Sequence, residues 1–198
     1  MTSSPTRPST AAAASRRTIG VVAIVAPALH ALSDVLEWRD GGFSTAQLLI
    51  NLAAFAPMPT LLYTLWAQQP SRRGRVGATG AIAYGVAFAY FTYTTIYALA
   101  FAVPNYAALW RRLGLVYTLD GALMIAGGVL FSVDALQTRW YPRVATALFL
   151  VGTLTNLVVA LLPVPEVLQI TGSFARNAGL MGFGAFLLSS AVDREDVE

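Results

Sequence analysis

Hydrophobic residues form six long runs along the chain, and short polar connectors separate each run from the next. A transmembrane helix needs about 20 predominantly apolar residues to cross a hydrocarbon layer of about 30 Å. Each run is long enough to do so, and it must be helical because lipid offers the backbone no hydrogen-bond partner. The runs are roughly 19–38, 43–66, 76–103, 113–136, 141–163 and 167–192. The pattern predicts an all-α integral membrane bundle of six transmembrane helices.

Composition agrees with this class and leaves little of the chain for a separate soluble domain. Of 198 residues, 56% are hydrophobic and 12% charged, whereas soluble domains carry about 25% charged residues. We expect a disordered cytoplasmic tail over 1–17, one transmembrane domain over 18–192 and an acidic cytoplasmic tail over 193–198. Connectors this short place consecutive helices side by side and antiparallel.

Prolines, glycines and one carboxylate predict local features of these helices. Pro27 is expected to interrupt the first helix, and Pro57 and Pro59 the second. The glycines of the fourth and sixth runs are expected to allow close packing between helices. Asp134 lies near a helix end, where we expect it to be solvated.

The distribution of arginine predicts the orientation of the helices. Short cytoplasmic loops are richer in Arg and Lys than the loops on the other side, and here every basic residue is Arg. With the N-terminus in the cytoplasm, only Arg39, Arg111 and Arg112 lie in outer loops. We therefore expect a plasma-membrane protein with both termini cytoplasmic. The arginines lie at helix ends rather than along a basic stripe, so their charge does not indicate nucleic-acid binding.

Polar side chains recur at helical spacing within the runs, and each set shares one face of its helix. The first run carries such a set at i, i+3, i+4 and i+7: His30, Ser33, Asp34 and Glu37. The sixth run carries a longer one: Glu166, Gln169, Ser173, Arg176 and Asn177. The other runs add Gln47 and Asn51, Tyr90, Tyr93, Thr94 and Tyr97, Tyr117 and Asp120, and Asn156. Ionisable groups within a bilayer are costly, so a place that gathers them is a candidate functional site.

The depth of these side chains, at 1.5 Å per residue, puts most of them in the outer half of the bilayer. We therefore predict a polar, partly aromatic cavity that opens toward the extracytoplasmic side. Arg176 is expected near mid-membrane, where a guanidinium needs a charged partner. We expect Asp120 or Asp34 to be that partner. The candidate catalytic residues are Asp34, Asp120 and Glu37. The candidate substrate-binding residues are His30, Asn51, Tyr93, Tyr97, Tyr117, Asn156, Gln169, Arg176 and Asn177.

Several kinds of chemistry do not fit the residues present. The chain has no Cys and one His, which argues against thiolate catalysis, a bis-His haem and a hydrolytic metal site. No nucleotide-binding glycine loop and no G-x-S-x-G elbow occurs in the sequence, which argues against ATP-driven work and serine hydrolase chemistry. We expect no metal and no other cofactor.

One functional hypothesis is an enzyme embedded in the membrane. In size, helix number and combined acidic and aromatic character, the chain resembles the small transmembrane terpene cyclases. The residues that carry this resemblance are Asp34, Glu37 and Asp120, lying among Tyr93, Tyr97 and Tyr117. It is a resemblance of type that covers no contiguous motif, and that family usually has seven helices. It implies acid–base chemistry of a lyase or isomerase on a lipophilic, isoprenoid substrate, with aromatic faces stabilising a cationic intermediate.

Two alternatives remain open from the sequence. A carrier or binding protein for a small polar ligand would use Asp120, Arg176 and Asn177, and with only six helices it would have to form a homo-oligomer. A membrane subunit without chemistry of its own would use the same polar residues to fix the register of its helices. All three hypotheses have the lipid bilayer as a partner, and the enzyme adds a lipophilic small molecule.

Overall fold

The computed structural model describes residues 10–69, 74–161 and 166–195, and these ranges contain helices and no strand. The helices are α1 (Thr10–Asp40), α2 (Thr45–Phe55), α3 (Met58–Ala67), α4 (Arg75–Ala100), α5 (Tyr106–Thr138), α6 (Arg143–Leu161) and α7 (Glu166–Glu195). The prediction of an all-α chain is confirmed. The helices α1 and α7 extend into both segments expected to be tails, whose remaining residues, 1–9 and 196–198, lie outside the described ranges.

Among the described residues, four stretches are long and apolar enough to cross a membrane. They are Ala14–Asp40, Thr45–Ala67, Arg75–Ala100 and Tyr106–Thr138. The helix α6 contributes a shorter apolar stretch, Arg143–Val159. The chain therefore has the character of a membrane protein, while the count of six membrane-crossing helices and the side of the termini stay predictions.

The second of these stretches is broken into α2 and α3 at the prolines expected to interrupt it. Pro57 lacks the N–H that an uninterrupted helix needs, and Met58 and Pro59 then begin α3. The helix α4 packs closely at this break, because a Cβ on Gly85 would collide with the Pro59 carbonyl. Pro27, which we also expected to interrupt its helix, lies instead inside a continuous α1.

Small residues allow the helices to approach one another closely, as the glycine-rich segments of the fourth and sixth runs led us to expect. Gly127 of α5 lies against the backbone of Tyr84 in α4, and Gly179 of α7 lies against Phe149 in α6. Gly184 of α7 lies against Gly20 of α1. Buried aromatic side chains fill the space between these contacts, among them Tyr84, Phe131, Phe149 and Phe183.

The beginning of α5 differs from the sequence-based expectation. We predicted a connector up to residue 112, whereas α5 begins at Tyr106, after Asn105 caps it by accepting a hydrogen bond from the Ala108 N–H at 2.9 Å. Gly114, with φ +58° and ψ −135°, then kinks the helix. The segment 106–113 therefore takes a different direction from the rest of α5.

Asp134, at the opposite end of α5, also differs from the sequence-based expectation. Its position near a helix end predicted a solvated carboxylate, but the residue is only 4% exposed. A Cβ added at either Gly74 or Gly77 would meet this carboxylate, so the start of α4 covers it.

Candidate functional site

A cavity of about 920 Å³ lies between the helices at one end of the bundle. It has the size of a pocket for a small organic ligand. Its lining comes from α1, α2, α4, α5, α6 and α7, and from the connectors that follow α1 and α4. The rim includes the residues Trp38, Gly41, Gly42, Phe43, Asn105, Tyr106, Trp110 and Arg111. Consecutive antiparallel helices bring these connectors to the same end, and the segment 106–113 forms part of the rim.

The direction of each helix orders the lining residues by depth. Along α7 the chain runs inward, so Ile170 lies nearest the rim, Ser173 one turn deeper and Arg176 deepest. Along α4 the chain runs outward, from Phe88 at the deep end to Ala98 near the rim. Ten residues of helix correspond to a depth of about 15 Å.

Polar groups on one wall form a connected network between α1 and α7. Ser173 Oγ donates to Asp34 Oδ2 at 2.5 Å, and Asn177 Nδ2 donates to Ser173 Oγ at 3.5 Å. Asp34 Oδ1 lies 3.6 Å from His30 Nε2, one helical turn away. The network therefore fixes the Asp34 carboxylate at the surface of the cavity.

The contacts of Arg176 determine the tautomer of His30. Arg176 Nη2 lies 3.4 Å from His30 Nδ1, and a guanidinium can only donate hydrogen bonds. Nδ1 must therefore accept, which leaves the ring proton on Nε2, directed at Asp34. His30 is therefore neutral and lies between the Arg176 guanidinium and the Asp34 carboxylate, which are not in contact with each other.

Arg176 itself is only 4% exposed and lacks the ion pair we expected. No carboxylate of a described residue lies within 4.0 Å of it, so the predicted pairing with Asp34 or Asp120 is wrong in this form. Its other contacts are weak: Nη1 lies 3.4 Å from Met124 Sδ, and the guanidinium carbon lies 6.0 Å from the centre of the Phe88 ring. Nε has no partner among the described residues.

Aromatic rings form an adjoining wall. Phe55 meets Phe88 edge to face with ring centres 5.2 Å apart, and Phe88 meets Phe91 at 5.6 Å. Phe91 in turn meets Tyr117 at 5.8 Å, and the His30 ring packs edge to face on Phe55 at 4.8 Å. The wall is continuous and apolar, so it suits a lipophilic molecule better than a hydrated ion.

The structure brings most of the sequence-predicted site residues together. Seven of them line the cavity: His30, Asp34, Glu37, Asn51, Tyr117, Asn156 and Arg176. Asn177 is buried beside the lining and reaches it through Ser173. Gln169 lies in α7, but its side chain is outside the described part of the structure.

Three predicted site residues are not in the lining. Asp120 is 9% exposed, and its Oδ2 has no hydrogen-bond partner among the described residues. Tyr93 is 51% exposed on the outer surface of α4. Tyr97 packs with Phe101, at 4.6 Å between ring centres, in a small cluster near the rim. The aromatic face of α4 that meets the cavity is instead that of Phe88 and Phe91.

The polar pattern of the sequence did not indicate the aromatic wall or the rim. Phe55 is four residues after Asn51 and Met124 is seven after Tyr117, so both extend predicted faces by helical spacing. The predicted faces contain polar residues only. Tyr106 and Trp110 lie outside the predicted helices, in the segment expected to be a connector.

The described residues contain no group of three or more His, Asp or Glu side chains arranged to hold a metal ion. Comparisons of the chain with protein-family models, with curated proteins and with solved structures found no match. The cavity and its lining are therefore the features that bear on function.

Proposed function

We propose that this chain is a six-helix protein of the plasma membrane with both termini in the cytoplasm, and that it is an enzyme. Its substrate is a lipophilic molecule, of isoprenoid type, held in the cavity, and its reaction is acid–base chemistry. The four stretches of the described residues that are long and apolar enough to cross a membrane, together with the arginine distribution, support the location. In this orientation the cavity lies in the outer half of the bilayer.

One observation carries the enzymatic part of the proposal: the Asp34 carboxylate is fixed in a cavity that is also lined by an aromatic wall. Ser173 donates to one oxygen of this carboxylate, and the Nε2 proton of His30 is directed at the other. A carboxylate with a hydroxyl donor at one oxygen and an N–H group facing the other is suited to act as a general base rather than as an acid.

The chemistry that follows is the removal and return of a proton. Asp34 takes a proton from a C–H next to an unsaturated group of the substrate: the C–H bond breaks, an O–H bond forms, and the double bond shifts. The proton then returns to another carbon, so that the substrate is isomerised with no net gain or loss of atoms. Glu37, one turn nearer the rim in the same lining, is placed to exchange this proton with water. Asp120 has no part in this reaction because it lies outside the lining.

Hydrogen exchange tests this chemistry for any substrate present among the lipids of the cell. The protein in nanodiscs is incubated in D₂O with a total lipid extract of the cells that produce it, and mass spectrometry follows every lipid species. We expect at least one species to gain deuterium or to change its isomer composition. Asp34→Asn is expected to abolish the change because an amide is not a base at neutral pH. Asp40→Asn is the matched control, since Asp40 is exposed in the same helix and pairs with Arg39.

The second candidate is a binding or carrier protein without chemistry, which the depth of the cavity also favours. Lipids that co-purify with the protein yet gain no deuterium would establish this alternative and refute the enzyme. Exchange that persists at the wild-type rate in Asp34→Asn would remove Asp34 from the mechanism. If the protein shows no exchange and binds no lipid, the result favours the third hypothesis, a subunit whose polar network is structural.

A further inference from the structure

We infer that the molecule bound in the cavity is a lipophilic carboxylate whose anionic group pairs with Arg176 at the deep end. The inference rests on the proposed function, because it names the class of substrate that the cavity would hold. It rests on three features of the structure: the partners of Arg176, the charges of the lining and the order of groups along its depth.

The first feature is a buried cation with too few partners. A guanidinium has five N–H donors, whereas among the described residues the Arg176 donors meet one thioether sulfur and one imidazole nitrogen, each at 3.4 Å. Neither partner is charged, and Nε has none among the described residues. Desolvated ions in proteins are normally paired, so a group that enters the cavity with a negative charge supplies what this guanidinium lacks.

The second feature is the charge of the rest of the lining. Asp34 follows His30 by one helical turn in α1, which places it about 6 Å nearer the rim. A carboxylate there repels a second anion, and the repulsion is about twice as large for a dianion such as a phosphate monoester as for a monoanion. A single planar carboxylate also matches the fork of a guanidinium with two parallel hydrogen bonds.

The third feature is the order of chemical groups with depth. The guanidinium lies at the deep end, and the aromatic wall of Phe55, Phe88 and Phe91 leads from it toward the rim. A molecule that enters with its carboxylate first places its hydrocarbon along this wall. Its carbons next to the carboxylate then lie within reach of Asp34, so the anchor also selects which C–H bond meets the base.

Binding of a defined probe tests the inference separately from turnover. Binding of radiolabelled oleate to the full-length protein in nanodiscs is compared with that of oleyl alcohol, which has the same hydrocarbon and no charge. Charge-assisted hydrogen bonds predict that oleate binds about tenfold or more tightly than the alcohol. Arg176→Gln should remove this preference and leave binding of the alcohol unchanged. Arg176→Lys keeps the charge without the fork, so it should bind oleate with intermediate affinity.

Two control substitutions show whether the effect on oleate binding is specific to Arg176. Arg143→Gln removes an exposed charge at the opposite end of the bundle and should bind oleate as the wild type does. Arg111→Gln removes the arginine of the rim and should weaken binding less than Arg176→Gln does. Thermal unfolding of each variant shows whether it is folded. If Arg176→Gln does not fold, the affinities of Arg176→Lys for oleate and for oleyl alcohol are compared with those of the wild type instead.

Three results would overturn the inference. Equal affinity for oleate and oleyl alcohol would show that no anion is recognised. A greater loss in Arg111→Gln than in Arg176→Gln would place the anion at the rim. Competition by acetate or inorganic phosphate at concentrations equal to that of oleate would indicate a site for small free anions instead. None of these outcomes depends on lipid turnover, so the inference can fail while the deuterium exchange succeeds, and the reverse also holds.

Discussion

Replacement of Arg176 by methionine should make the empty protein more stable. The change keeps an unbranched side chain of similar reach and removes the buried charge. It gives up two long contacts, to Met124 and His30, and a weak interaction with the Phe88 ring. Because no carboxylate of a described residue lies within 4.0 Å, the substitution breaks no ion pair.

The expected magnitude follows from the cost of burying an ion. Exchanging buried ionic groups for apolar ones of similar volume is often worth about 1–4 kcal/mol. The lost interaction with the aromatic ring offsets about 0.5–2 kcal/mol of this. A net gain of about 1–2 kcal/mol corresponds to a rise in Tm of about 2–8 °C for a chain of this length.

The assay is the fraction of protein that stays monodisperse in detergent after heating, measured over a series of temperatures. Arg143→Met serves as the control, because it removes an exposed arginine and should shift stability by no more than about 0.5 kcal/mol. Added oleate should stabilise the wild type and leave Arg176→Met unaffected. A loss of about 3–5 kcal/mol in Arg176→Met would show that the arginine holds a structural ion pair, and it would refute the assignment of an anionic ligand to this arginine.

Four further substitutions test the packing of the bundle. Gly152→Ala should cost about 1–3 kcal/mol, since its Cβ would collide with the Arg176 backbone in α7; an unchanged Tm would mean that α6 and α7 lie farther apart than described. Gly114→Ala should cost about 1–3 kcal/mol through its positive φ alone, because the added methyl meets nothing within 4 Å. Gly121→Ala, with equally open space but helical backbone, should instead gain up to about 1 kcal/mol, and the two Tm values should therefore move in opposite directions. Tyr141→Phe should cost about 0.5–1.5 kcal/mol by removing the 2.7 Å hydrogen bond to the Leu65 carbonyl, which keeps the one from the Gln68 N–H, and equal stability of the two proteins in a thermal melt would contradict this.

Local chemistry determined the helices and the faces they present. The length of each apolar run predicted a helix, and the prolines at 57 and 59 predicted the break between α2 and α3. The spacing of His30 and Asp34 predicted their common face, and the structure places their side chains 3.6 Å apart. These features depend on residues within about one turn of each other. Over that distance the geometry of a helix does not depend on how the rest of the chain packs.

Contacts between helices could not be determined in this way. The side chain that meets Arg176 depends on how α1, α5 and α7 rotate against one another, and a rotation of one residue moves a side chain by about 100° around the axis. Asp120 and Tyr93 have the composition expected of a site, yet packing places Asp120 outside the cavity lining and Tyr93 on the exposed surface of α4. The sequence by itself therefore determined the helices and the residues that could form a polar site. Only the tertiary structure decided which of them share a cavity, and that no carboxylate of the described residues pairs with Arg176 there, because these outcomes depend on the packing of several helices at once.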